Sequence, residues 1–323
     1  MPTSERQIRA MIRLLRDDDS RIVQTISDQL IEVGPPAVPL LQEAELEEPA
    51  LAALLASLVE EIRGGQLERE LALLVETLRA TEPPGQGNEA PRPERRLERS
   101  AFTTELPVIP APEWTGPSAL ETGVLLFSRY AFPHLDPDRC IQQLNRMAAD
   151  VRDYIGSRAG GEETVKILGR YLFNEMGFAG NTRNYYDPDN SYLNMVLERR
   201  IGIPISLSTV YLLVGERLSL PVKGIGMPGH FLVKYESDKY TMFIDCFNAG
   251  SLLTERNCMR FLSEAGYGFE ARYLQPSTTR AILGRTVKNL VGMYGKLDET
   301  VKKARFTRFL HILEGDHPES DSA

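Results

Sequence analysis

A histidine behind a Pro-Gly turn and an aspartate fifteen residues later are the pair in this chain whose types and spacing suit acid–base chemistry. They are His230 and Asp245, within GMPGHFLVKYESDKYTMFIDCF at residues 226 to 247. Two alternating runs lie between them, with Phe231, Val233, Tyr235, Tyr240, Met242 and Ile244 on one face and Glu236-Ser237-Asp238-Lys239 as the polar patch at the bend. A symmetric hairpin pairs Tyr235 with Tyr240, Val233 with Met242 and Phe231 with Ile244, which sets His230 directly opposite Asp245. Side chains so opposed have Cβ atoms about 4.5–5.5 Å apart, close enough for an imidazole N–H to reach a carboxylate. A slip of one residue would turn the apolar set to the wrong face, so the pattern pins the register. A carboxylate behind a histidine fixes its tautomer and supports its cation, as a general base requires. The same pair can equally serve as a structural tie between strand ends, and catalysis needs a third residue.

The natural place for a nucleophile is a helix N-terminus aimed at the hairpin, where the dipole lowers a thiol pKa. The helix before the sheet opens at GIPISLS, with Pro204, Ser206 and Ser208 in its first turns. The cysteines are Cys140, Cys246 and Cys258, and none lies between the first two. By parity Cys246 falls on the Ile244 face, away from His230. Ser206 and Ser208 are the nearby hydroxyls, and a serine attacks only with its base within hydrogen-bond reach.

These side chains need elements to hold them. Asn190-Ser191 is expected to cap a helix over SYLNMVLERR that ends at Gly202, and Pro204 suits the first turn of the next, lined by Val210, Leu213, Val214 and Leu218. Strands follow Pro221, and helical spacing returns after Ala281. Upstream, stripes at Ile8/Ile12/Leu15, Val23/Ile26/Leu30, Leu51/Leu55/Leu58/Ile62 and Leu67/Leu71/Leu74/Leu78 predict a series of helices. LLRDDDSRIVQTISDQLIEVGPPAVPLLQEAEL resembles a HEAT-type repeat, and a plain helical bundle fits the same stripes. Residues 81–117 are rich in proline and charge and read as a linker, with Trp114 able to dock part of it.

Composition closes off several classes of function. Of 323 residues, 42% are hydrophobic and 25% charged, as in an ordinary globular chain. The net charge of −8 opposes nucleic-acid binding, and the one basic run, Arg92–Arg99, is interleaved with glutamates. No apolar run approaches the roughly 18–20 residues of a membrane span, and the N-terminus lacks the apolar centre of a signal peptide. Three scattered cysteines form neither a disulfide framework nor a zinc site, so a cytoplasmic setting is expected. Asn181, Asn184 and Asn190 around Asp187-Pro188-Asp189 offer too few carboxylates for a cation, so no metal and no cofactor is expected. Arg199-Arg200 reads as a charged helix end complementing the dipole. His134, His311 and His317 stand alone.

The stretch NSYLNMVLERRIGIPISLSTVYLLVGERLSLPVKGIGMPGHFLVKY, followed by IDCFNAGSLL, resembles the bacterial invasion-regulator (SirB-type) family. The likeness runs from about Ser118 to Pro276 and rests on the arginine pair before GIP, the PGHF turn and the D-x-F-x-x-G end. Where that family commonly has Asp-Pro-Phe, this chain has Asp245-Cys246-Phe247. The resemblance implies a transglutaminase-like (papain-like) core, α+β, with helices packed on an antiparallel sheet. It also implies a Cys–His–Asp triad in which His230 and Asp245 take the last two roles and Pro204 stands where the thiol belongs. The expected organisation is a HEAT-like all-α domain over 1–80, the linker over 81–117, the transglutaminase-like domain over 118–276, and C-terminal helices over 277–323 resembling the start of a tetratricopeptide repeat. The expected function is that of a non-catalytic module meeting protein partners through its helical repeat or its cleft, without nucleic acid or membrane. The alternative is a Ser-His-Asp hydrolase or acyltransferase using Ser206 or Ser208.

Overall fold

The computed structural model describes residues 3–82, 116–155, 161–238 and 240–315. Trp114, His317 and all of the expected linker but its ends lie outside them. The first helix, α1 (Glu5–Leu14), is started by Ser4, whose hydroxyl accepts from the Gln7 N–H while Gln7 reaches back to the Ser4 N–H. The next, α2 (Ser20–Val33), is capped by Asp19 and stopped by Gly34 at φ 75°, a conformation that glycine adopts freely. With α3 (Val38–Glu47) these helices bury Ile8, Ile12, Leu30 and Leu41 against Leu55 and Ile62 of α4.

The stripes at 51–62 and 67–78 belong to one helix, α4 (Ala52–Thr81), 30 residues long. Gly64, at its middle, does not break it. A Cβ there would collide with the Arg305 guanidinium, so the glycine makes room for a buried cation. The first half of α4 packs in the N-terminal core; its second half supplies Leu67, Leu71, Val75 and Leu78 to a larger one.

That larger core is built by α5 (Ala119–Ala131), α6 (Pro137–Ile155), α7 (Gly161–Arg170), α8 (Leu193–Arg199) and α9 (Pro204–Arg217). Helix α9 is buried on nearly every side, as a central helix must be. The start of α8 differs from expectation. Its N-cap is Tyr192, without a side-chain bond, because the Asn190 amide is spent on the carbonyls of Asn184 and Tyr185. Arg200, at φ 56°, takes the left-handed position at its end. Gly202 instead pairs with Gly180 in a two-stranded parallel ribbon of β1 (Ala179–Gly180) and β2 (Ile201–Gly202).

The sheet is an antiparallel meander of β3 (Val222–Ile225), β4 (Leu232–Glu236), β5 (Thr241–Asp245) and β6 (Ser251–Leu253), in that order. Val233, Tyr235 and Ile244 join the main core with α9, while Leu232 and Phe243 face a smaller cluster with Cys258 and Leu262 of α10 (Glu255–Glu264). The register corrects the expected one by two residues. Val233 lies opposite Ile244 and Tyr235 opposite Met242, so the loop is residues 237–240, closed by the Ser237 N–H donating to the Tyr240 carbonyl at 3.1 Å. A shift of two keeps parity, so every apolar side chain stays on its face. Finally α11 (Thr279–Lys296) and α12 (Thr300–Glu314) add Leu283, Leu290, Phe306 and Phe309 to the main core. Among the described residues no helix is long and apolar enough to cross a membrane.

Candidate functional site

His230 is placed by the turn before β4. Gly229 sits at φ 73°, and the His230 N–H donates back to the Met227 carbonyl at 3.2 Å. Continuing the observed register puts Leu232, not His230, across from Asp245. His230 therefore reaches the carboxylate diagonally, from two residues earlier on the same face, a separation that a long side chain spans. Its Nε2 stands 3.0 Å from Asp245 Oδ1, with both side chains less than a tenth exposed. The ring N–H does not point along that line, so the contact is a close polar approach and not an aligned hydrogen bond. Among the described residues no hydrogen bond engages Nδ1, and that nitrogen is not sealed from solvent.

The acid is held by its own turn. Asp245 Oδ1 accepts the N–H groups of Phe247 at 3.1 Å and Asn248 at 3.2 Å, and Oδ2 accepts the Asn248 side-chain amide at 2.8 Å. Burial alone would raise this carboxyl. The close approach of His230, joined by the Asn248 donors, outweighs burial and holds it below the usual range. The sign of the pH effect follows. A carboxyl lowered by folding contributes stability above its unfolded pKa of about 3.9 and loses it as pH falls through the folded value. Denaturant unfolding at pH 7 is expected to show wild type more stable than Asp245→Asn, and the gap should shrink as pH falls below about 4. A gap unchanged by acid would mean that the carboxylate charge does not matter.

The residues proposed as nucleophiles do not join this pair. Pro204 opens α9 behind Ile203. The Ser206 hydroxyl donates to the Asn190 carbonyl at 2.5 Å and accepts the Ile203 N–H at 3.0 Å, which ties the helix start to the polar loop. Ser208 is fully buried beside Cys246, on the main-core side of the sheet. Burial pushes the Cys246 thiol far up, with the Ser208 hydroxyl offsetting little of it. His230 and Asp245 are brought together; neither serine touches His230.

Other groups near His230 were not singled out in the sequence. The Phe261 ring lies 5.3 Å from the imidazole and that of Phe247 6.3 Å away. Phe247 also fills the space that a Cβ on Gly180 would take and meets Tyr185 edge-on at 6.1 Å. Arg285 of α11 donates to the His230 carbonyl at 2.9 Å. Asn248 could have been found, since Asp-x-x-Asn before Ala-Gly is a turn in which the acid caps its own backbone. Arg285 carries no such signal. The Asp187 and Asp189 carboxylates pair with Arg199, at 2.9 and 3.2 Å. Among the described residues no group of three or more His, Cys, Asp or Glu is placed to hold a metal.

Comparisons with known proteins place the chain among relatives. The model of the transglutaminase-like superfamily matches residues 138–288. A UPF0162 protein of Xylella fastidiosa is 33% identical over 208 residues, 62% of this chain and 74% of its own length. A UPF0162 protein of Vibrio cholerae is 29% identical over 119 residues, 36% of this chain and 43% of that one. The F-box only protein 21 of Homo sapiens is 32% identical over 139 residues, 41% of this chain but 22% of the longer protein. No solved structure matches the chain.

Proposed function

We propose, on the premise that this chain belongs to the UPF0162 family and carries a transglutaminase-like domain, that it acts as a non-catalytic module binding protein partners. The observation that carries this reading is the absence, among the described residues, of a usable nucleophile beside His230. Proline opens the helix where the fold's thiol is expected, the Ser206 hydroxyl is committed to backbone partners, and Ser208 and Cys246 are sealed in the core. A base with its orienting acid has nothing to activate there. The likeness of part of this chain to a stretch of a longer F-box only protein fits a module that different chains carry. Fold likeness alone does not decide chemistry, so the argument rests on the site. The proposed docking surfaces are the cleft at His230 and the N-terminal helices α1–α4, used in the manner of a HEAT-type repeat. The SirB-type resemblance favours a regulatory role in a bacterial cytoplasm.

The test is covalent labelling of the folded protein. Neither a fluorophosphonate nor a thiol-directed acylating probe is expected to label it, and His230→Ala should change nothing in that result. Labelling of Ser206 or Ser208 that disappears in His230→Ala would replace this reading with a serine hydrolase.

A further inference from the structure

Arg285 differs from the other arginines drawn into this fold. Arg217 meets Glu121, and Arg305 meets both Glu61 and Glu68. Arg285 is partly buried, yet no carboxylate among the described residues pairs with it. Its neighbours by charge are the phenols of Tyr185 and Tyr267. Its guanidinium lies 5.7 Å from the centre of the Phe231 ring, and one nitrogen donates to the His230 carbonyl at 2.9 Å. That single bond uses one of five N–H donors. A partly desolvated cation without a counter-ion gains free energy when an anion arrives. The surroundings also favour an apolar neighbour for that anion. Phe261 and Tyr267 are partly exposed at the same edge, Phe261 against the imidazole and Tyr267 against Gly229 of the histidine turn.

We propose that Arg285 anchors a carboxylate of the ligand bound in the His230 cleft, with an apolar group of that ligand lying against Phe261 and Tyr267. One guanidinium beside two phenols suits a singly charged, planar carboxylate, which its fork can grip through two parallel bonds. A chain terminus and an acidic side chain offer the same chemistry. The inference deepens the binding reading and takes the location of the cleft from it. A covalent label at Ser206 or Ser208 would end that reading, whereas the outcomes below bear on Arg285 alone.

Three probes separate the cases on the full chain: N-acetylphenylalanine, N-acetylaspartate amide, and N-acetylphenylalaninamide, which has no carboxylate. Titration by NMR is expected to move the His230 imidazole signals at millimolar concentrations with one or both acids. Arg285→Gln should weaken that response at least about tenfold, as for a lost charge-assisted bidentate contact. The arm that responds names the source of the carboxylate. Equal responses to acid and amide, or no response to either acid, would overturn the proposal. A second readout guards against a purely structural role. If Arg285 is kept for a ligand, Arg285→Met should leave the ligand-free protein as heat-stable as wild type or more so. A marked fall in Tm would make Arg285 a strap for the His230 turn and overturn the inference.

Discussion

Replacing Glu121 with alanine is expected to remove about 3–5 kcal/mol of unfolding free energy, the usual cost of breaking a buried ion pair from one side. Its carboxylate is fully buried on α5, and both oxygens accept from Arg217 of α9, at 2.8 and 2.9 Å. Arg217 is 4% exposed and also donates to Asn145 of α6 at 2.6 Å and to the Leu213 carbonyl at 3.0 Å. Removing the acid takes away both carboxylate oxygens that the guanidinium meets in the interior, at the junction of three helices. Low-dielectric surroundings that strengthen the intact network make its half-removal expensive. Denaturant titration of Glu121→Ala measures the loss directly. The control is Glu121→Leu combined with Arg217→Met, which takes out both charges and should recover much of it, since apolar replacements of buried pairs are often near neutral. A single-mutant loss under about 1 kcal/mol would mean that water reaches the pair and screens it.

This network was not legible in the sequence, and the reason is general. Glu121 and Arg217 are 96 residues apart, and each lies on a helix whose surface could have been solvated. What could be read was local and periodic. Alternation between residues 231 and 244 gave the faces of β4 and β5 correctly, because a two-residue error in register preserves parity. It could not fix the loop, since a shift of two residues keeps parity and leaves Ser237-Asp238 in the bend either way. His230 and Asp245 were found through that parity, although their contact is diagonal and not directly opposed. The carboxylate type of Asp245 suits acid–base chemistry and turn capping alike, and only the structure shows it capping through Asn248. Ser206 looked free because the Asn190 carbonyl, 16 residues away, cannot be placed beside it by spacing alone. The unbroken α4 was hidden by Gly64-Gly65, which ordinarily weakens a helix by about 1 kcal/mol per glycine. Its cause lies 241 positions on, in Arg305.

The same distance effect governs the C-terminal helices, whose role is best tested at Phe306. Phe306→Ala is expected to cost about 3–5 kcal/mol, the range for deleting a fully buried aromatic side chain. The ring is stacked on Tyr294 at 5.7 Å and meets Tyr130 and Phe309 edge-on at 5.3 and 5.4 Å. These partners come from α5, α11 and α12 itself, so no single neighbour can move in to fill the space. The cavity would also border Tyr192, whose hydroxyl shares a 2.6 Å bond with that of Tyr294 in the interior. Tyr192 precedes α8 and follows the Asn190 loop that Ser206 holds, so loosening should spread toward the polar side of the cleft. Phe306→Leu, which keeps most of the volume, should cost clearly less. Calorimetry of both variants gives the comparison, with the His230 imidazole NMR signals as a local monitor. Equal, small losses in the two would mean that α12 is only peripherally attached. A large loss in Phe306→Ala alone, in one cooperative transition, would make α12 as much a part of the transglutaminase-like core as α9.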